Sequence, residues 1–260
     1  MTDLTLRVCH LYPRLLSVAG DRGNLFALRC RCAWRDIGTE VHEVETGDTP
    51  DFTAFDVILF HGGQDKEMDV AARDLQAKGE SLREAVENDV VILAVCAGYQ
   101  LLGTYYQPSN GPRLEGIGAL NVYTEGGAQR FMNHIALECT FSGDKPRYLV
   151  GFENHSGCTY LGEGVEPLGR VVAGSGNNGS DGTEGARYRQ IYATYLHGPV
   201  LPKNTWFTDH LIAQGLRHRY GAIGPLITLA DGAETRAHDA ALKVALQSKG
   251  RRTALEATRW

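Results

Sequence analysis

The sequence predicts an α/β fold: a doubly wound, mostly parallel sheet with an antiparallel extension. Three observations predict it. Apolar, β-rich runs alternate with stretches of helical spacing through the first hundred residues. Such alternation implies parallel βαβ units whose sheet is covered on both faces. Glycine-rich or polar turns follow the carboxyl ends of three of those runs. Beyond Gly116 the pattern changes to short strand-like runs split by glycine turns, as antiparallel strands require.

In chain order, residues 4–12 read as a strand, and residues 24–37 have helical spacing after the Gly20-Asp21-Arg22-Gly23 turn. Residues 40–45 form a short strand. The run Asp56-Val-Ile-Leu-Phe60 reads as a buried strand bounded by Gly62-Gly63. Residues 68–86 form a long amphipathic helix with Ala71, Ala72, Leu75, Leu82, Ala85 and Val86 towards one side. Residues 89–95 are again a strand, followed by a helical run over 97–105. Strand-like runs then cover 119–123, 131–141, 147–152, 170–173 and 187–195. The glycine-dense segment 174–185 lacks a following Lys-Ser/Thr, so it is a mobile hairpin tip and not a phosphate cradle. Helical spacing returns over 204–218 and 234–247, and the polar tail 249–260 is expected to be loosely held. No internal repeat or long linker divides the chain. The expectation is one domain over 1–260, with a core over about 4–215 and a C-terminal helical extension and tail over about 216–260.

A chain of 260 residues with 43% hydrophobic content can bury a core without disulfides or metals. A net charge of −5 argues against nucleic acid as partner, because phosphate binding needs a local surplus of Lys and Arg. The basic stretch 29–35 has helical spacing and reads as a solvated helix face. No run approaches the ~20 apolar residues of a membrane helix, and the first residues lack the small-residue cleavage site of a signal peptide. The expectation is therefore a cytoplasmic chain without membrane insertion. The six cysteines show no CxxC pair and no zinc-like spacing with histidine, so no metal site is expected. Five of them read as reduced, small and buried.

Cys96 is different. In an open parallel sheet, functional groups gather where strands end at their carboxyl edge. The 89–95 strand runs directly into Cys96-Ala97-Gly98-Tyr99-Gln100. A nucleophile between a buried strand and a helix sits on a sharp turn that tolerates only small neighbours, and Ala94 and Gly98 flank it at minus two and plus two. Free N–H groups at the helix start favour a thiolate there. The turns at 20–24 and 61–65 fall on the same rim. A thiolate nucleophile needs a base that later protonates the leaving group. Among nine histidines, His197 closes a long strand in Ile191-Tyr-Ala-Thr-Tyr-Leu-His197-Gly198-Pro199, and His155 is the runner-up.

Val95-Cys96-Ala97-Gly98-Tyr99-Gln100-Leu101-Leu102-Gly103, with Gly62-Gly63-Gln64-Asp65 before it and Tyr195-Leu196-His197-Gly198-Pro199 after it, resembles the class I glutamine amidotransferase domains. The resemblance is to the branch shared with cobyric acid synthase and covers residues 4–215. Within it, the Gly20-Asp21-Arg22-Gly23-Asn24 start and the stand-alone length are similar to glutaminase subunits of lipid II isoglutaminyl synthases.

This resemblance implies Cys96 as nucleophile and His197 as catalytic histidine. It implies an oxyanion hole from the N–H groups of Gly63 and Ala97. Arg130 would bind the glutamine α-carboxylate, and Gln100 would contact substrate or fix the elbow. Many class I domains carry a glutamate two positions after the histidine, but here Gly198 and Pro199 follow. His197 must then be oriented by Asp21, Glu153, a backbone carbonyl or a partner chain, among which the sequence does not choose. The implied activity is hydrolysis of glutamine to glutamate and ammonia. No cofactor is expected in this chain, because ATP would be used by the partner. That partner would be a MurT-like Mur ligase subunit in a heterodimer, amidating the D-glutamate of lipid II. The alternatives are another synthetase of cobyrinate type, or a non-catalytic regulatory subunit of the same fold.

Overall fold

A computed structural model describes residues 4–17, 20–143 and 145–257. Among them, six strands form a first sheet in the order β11-β12-β4-β3-β1-β2. Its parallel members are β1 (Thr5–Leu11), β2 (Gly38–Val44), β3 (Val57–Phe60), β4 (Val91–Val95) and β12 (Ile191–Thr194). The edge strand β11 (Ala186–Tyr188) runs antiparallel to β12. Every residue of β3, β4 and β12 is buried, which is why they read as unbroken apolar runs.

Helices cover both faces. On one, α2 (Asp65–Glu87) and α3 (Ala97–Leu102) pack Ala71, Leu75, Leu82, Leu101 and Leu102 against Ile58, Phe60 and Ile92. On the other, α1 (Arg22–Ala33) and α5 (Thr205–Tyr220) pack Leu25, Leu28, Phe207, Leu211 and Leu216 against Val57, Leu59 and Leu93. Each fully buried Leu or Phe contributes about 1.5–3 kcal/mol, so the sandwich holds the strand ends rigidly.

The expected antiparallel strands exist, but all except β11 build a second sheet instead of widening the first. It is dominated by β7 (Val122–Cys139) and β8 (Arg147–Leu161), one long hairpin whose register shifts at a bulge between Gly126 and Phe131. β5 (Tyr105–Gln107), β6 (Leu114–Glu115), β9 (Gly169–Ala173) and β10 (Thr183–Glu184) complete it, with β13 (Leu196–His197) beside β8. The strand expected over 187–195 is therefore not continuous. Arg189 makes a turn at φ 51°, and Tyr195 breaks the ladder where the chain leaves the first sheet for the second.

Three other expectations need correcting. Arg31 and Arg35 do not line a solvated face: both are buried, because Asp209 and Asp231 neutralise them at 2.6–2.8 Å. The segment 174–185 is pinned rather than mobile, since buried Asn177 bonds both the N–H and the carbonyl of Gly185. Not all five remaining cysteines are buried: Cys30 is exposed and Cys158 half-buried. The polar tail continues α6 (Gly232–Ala257) as helix to Ala257; residues 258–260 lie outside the described residues. A short α4 (Val200–Lys203) follows the second sheet. No helix among the described residues is long and apolar enough to cross a membrane.

Candidate active site

Cys96 caps α3 at φ 53°, ψ −102°, a backbone conformation that costs about 1–3 kcal/mol and persists only where the surroundings enforce it. They do. The Cys96 N–H donates to the Thr194 carbonyl at 2.9 Å, and the Gly98 N–H donates to the His61 carbonyl at 3.2 Å. A Cβ on Gly98 would stand 2.3 Å from the Phe60 carbonyl oxygen, so only glycine allows this close approach. The five residues of β4 are sealed, yet Cys96 is partly exposed. This is the sharp turn expected from the flanking small residues.

His197 arrives from the other sheet. Its ring is nearly buried, and its Nδ1 lies 3.5 Å from Oδ2 of Asp21, the fully buried residue that precedes α1. The same Oδ2 accepts the Gly62 N–H at 3.3 Å. At 3.5 Å the His197–Asp21 contact is ionic, short of a full hydrogen bond, and tightening of such contacts on ligand binding is ordinary. Of the open candidates for orienting His197, Asp21 is the one beside it. Glu153 is committed elsewhere, accepting from the N–H groups of Ser175 and Gly176 and from Asn133 Nδ2 at 2.7–2.9 Å.

Gly62 is the meeting point. A Cβ there would lie 3.0 Å from His197 Cε1, 3.3 Å from Asp21 Oδ2 and 3.3 Å from Cys96 Cβ. Three side chains from distant parts of the sequence thus converge on a point with no room for a methyl group. Burial by itself lowers the basicity of His197, but Asp21 and the Cys96 sulfur outweigh it and raise the pKa well above that of a free imidazole. The site can therefore hold an imidazolium beside a sulfur.

The runner-up histidine is held differently. His155 donates from Nδ1 to the Gly157 carbonyl at 2.8 Å and stacks flat on Tyr195 at 3.7 Å. Burial pushes its pKa down to about 4. Gln100 lies behind the elbow, with Nε2 donating to the Tyr195 hydroxyl at 3.1 Å. Of its two implied roles, fixing the elbow is the one this geometry supports. Arg130 is exposed at the β7 bulge and donates from Nε to Asn154 Oδ1 at 2.8 Å, and its charge is felt at His155. Gly63 is adjacent to the Gly62 junction and packs against Leu16, where a Cβ would come within 2.1 Å. Ala97 follows Cys96 at the start of α3.

Sequence reading missed a buried pair beneath the site. His61 Nδ1 and His10 Nε2 lie 3.2 Å apart, and Asn24 Nδ2 approaches His61 Nε2 at 3.5 Å. Burial lowers His61 to about 3 and His10 to about 4, so both are neutral and brace the Gly62 loop as dipoles. The available signal was a polar ring in or at the end of each of two adjacent apolar strands.

The chain matches the CobB/CobQ-like glutamine amidotransferase domain over residues 7–205. It is 38% identical over 217 residues to the lipid II isoglutaminyl synthase (glutamine-hydrolyzing) subunit GatD of Streptococcus pneumoniae, covering 83% of this chain and 82% of that protein. The GatD subunit of Staphylococcus aureus is also 38% identical, over 214 residues, covering 82% of this chain and 86% of that one. Among solved structures, the glutaminase domain of Trypanosoma brucei CTPS with bound acivicin aligns with a TM-score of 0.53. That alignment covers 82% of this chain and 94% of that one at 11% identity, a likeness of fold alone.

Proposed function

Because the chain belongs to the CobB/CobQ-like glutamine amidotransferase family, we propose that it releases ammonia from glutamine by Cys96–His197 chemistry for the amidation of lipid II. The observation that carries the chemistry is the packing of Asp21, Cys96 and His197 around Gly62.

In this reading His197 Nε2 faces the sulfur while Nδ1 faces Asp21. The Cys96 thiolate attacks the carboxamide carbon of glutamine, and the tetrahedral oxyanion takes hydrogen bonds from the Gly63 and Ala97 N–H groups. Donors of this kind are worth about 2.7–4 kcal/mol each in the transition state. The C–N bond then breaks, and the imidazolium gives its proton to the departing nitrogen, which leaves as ammonia. His197, now neutral, takes a proton from water as that water attacks the thioester, and glutamate leaves with the thiolate restored. The Arg130 guanidinium, oriented by Asn154, binds the substrate α-carboxylate in the two-pronged geometry that carboxylates favour.

The ammonia acceptor lies on a partner. Both GatD relatives are named as subunits, and this chain spans most of each. The partner is a MurT-like Mur ligase that uses ATP to activate the D-glutamate carboxyl of the stem peptide, making a heterodimer of the two chains. The test is glutamine hydrolysis by the wild-type chain and by Cys96→Ala, alone and with that ligase. The variant is expected to lose at least ~10³-fold in kcat, as removal of an enzyme's nucleophile does. Retained turnover would remove Cys96 from its role. Lipid II amidation that proceeds from glutamine without this chain would remove the assignment to that pathway.

A further inference from the structure

We propose that Glu184 is a positioning residue for His197, holding the crossing between the two sheets so that the imidazole stays aimed at Cys96. The inference rests on the Cys96–His197 reading above.

The crossing creates a hydrogen-bonding problem. Thr194 still pairs with Val95 in the first sheet, whereas Leu196 and His197 pair with Glu153 and Phe152 in the second. At the break, the N–H groups of Tyr195 and Leu196 have no ladder partner in the first sheet, although both residues are fully buried. A buried N–H left unpaired costs about 1–3 kcal/mol, and the chain would relax by rotating its peptides. Any such rotation swings His197, one or two residues on.

Two side chains prevent it. Glu184 Oε1 accepts the Tyr195 N–H at 2.6 Å. Thr194 Oγ1 accepts the Leu196 N–H at 3.0 Å and lies 3.1–3.2 Å from both Glu184 oxygens. The Thr194 carbonyl meanwhile accepts the Cys96 N–H. One connected set of bonds thus ties the nucleophile's elbow to the strand that carries the base.

Glu184 is itself delivered rigidly. It is fully buried, and Gly185 beside it, at φ 66°, passes so close to β12 that a Cβ would sit 2.3 Å from the Ala193 carbonyl. The Asn177 side chain clamps Gly185 from the other side. A buried carboxyl is expensive to retain unless its hydrogen bonds are needed. Burial, with Glu153 adding to it, pushes Glu184 up to about 8 despite the Tyr195 N–H. Thr194 Oγ1 donates to the Glu184 carboxyl, whose Oε1 also accepts the Tyr195 N–H. A glutamine side chain reproduces both bonds, whereas alanine supplies neither.

The experiment compares glutaminase kinetics of the full chain, alone and with its ligase partner, for wild type, Glu184→Ala, Glu184→Gln and Thr194→Val. Thermal unfolding serves as the control for folding. Glu184→Ala is expected to lower kcat about 30–100-fold with KM within about twofold, the signature of a small misplacement of a reacting group. Glu184→Gln should recover to within about fivefold of wild type. Alkylation of Cys96 by iodoacetamide should shift to higher pH in the alanine variant and not in the glutamine variant, because a misaimed imidazolium supports the thiolate less. Wild-type kcat in a folded Glu184→Ala, or no recovery with glutamine, overturns the proposal. If the alanine variant does not fold, Thr194→Val decides: about a tenfold fall in kcat supports the proposal and full activity overturns it. An active Cys96→Ala would sink the dyad itself, whereas an inactive Cys96→Ala beside a fully active Glu184→Ala sinks this inference alone.

Discussion

The two sheets contribute unequally to the site. The parallel sheet supplies Asp21, Gly62 and Cys96 from the loops after β1, β3 and β4, three strands that lie side by side. Their convergence follows from topology, because neighbouring parallel strands all end on one rim. The second, mostly antiparallel sheet supplies His197 on a two-residue strand and Arg130 at a bulge, neither of which follows from a general rule of the fold. Cys96, the proposed nucleophile, is thus held by architecture, and His197 and Arg130, the proposed base and substrate anchor, by individual hydrogen bonds. Perturbing the antiparallel side should therefore damage aim and binding before it damages folding.

Replacing His197 tests that difference most severely. His197→Asn is expected to lower kcat by about 10³–10⁴-fold with little change in thermal stability, and a double variant with Cys96→Ala should be no worse than either single one. Additive losses in turnover would mean that the two groups do not act as a unit. Next comes Gly62→Ala, whose methyl group would press on His197 Cε1 from 3.0 Å. About a 10²-fold fall in kcat is expected, with glutamine KM nearly unchanged. An unaltered kcat would show that the three side chains are not packed as tightly as described.

Asp21→Asn sharpens the comparison through pH. The Asp21 carboxylate raises the pKa of His197, so the imidazolium persists to a higher pH with it than without it. In the proposed mechanism activity needs that imidazolium beside the thiolate, and it is lost on the alkaline side as His197 deprotonates. Removing the negative charge should move the alkaline limb of kcat/KM to lower pH, with about a 30-fold loss at the optimum. A loss of rate with the alkaline limb in place would assign Asp21 a purely structural part. Arg130→Ala should give the smallest effect, a rise of about tenfold in KM for glutamine with kcat nearly intact, since it removes binding that substrate and transition state share. An unchanged KM would leave the α-carboxylate to another group.

What could be read without coordinates divides along the same line. Cys96 was legible because its evidence is local: an apolar strand, a sharp turn and small neighbours within five residues. His197 was legible as a strand-end histidine and through family resemblance, but not that its strand belongs to the second sheet. The choice of Asp21 over Glu153 was not legible, since both are acidic residues remote from His197 in sequence and only packing separates them. Arg31 and Arg35 misled for the same reason. Their spacing describes a helix face equally well whether it meets water or Asp209 and Asp231, some 174–200 residues away.

By itself, then, the sequence determined the α/β alternation, the parallel core and the place of Cys96 on its sharp turn. Each depends on periodicity and steric demands confined to a short stretch of chain. Only the tertiary structure decided which carboxylate faces the imidazole, which arginines are buried and how the chain crosses at Tyr195. Those outcomes depend on which distant groups can satisfy a buried charge or an unpaired N–H, and that is a matter of distance in space, which the order of residues along the chain does not encode directly.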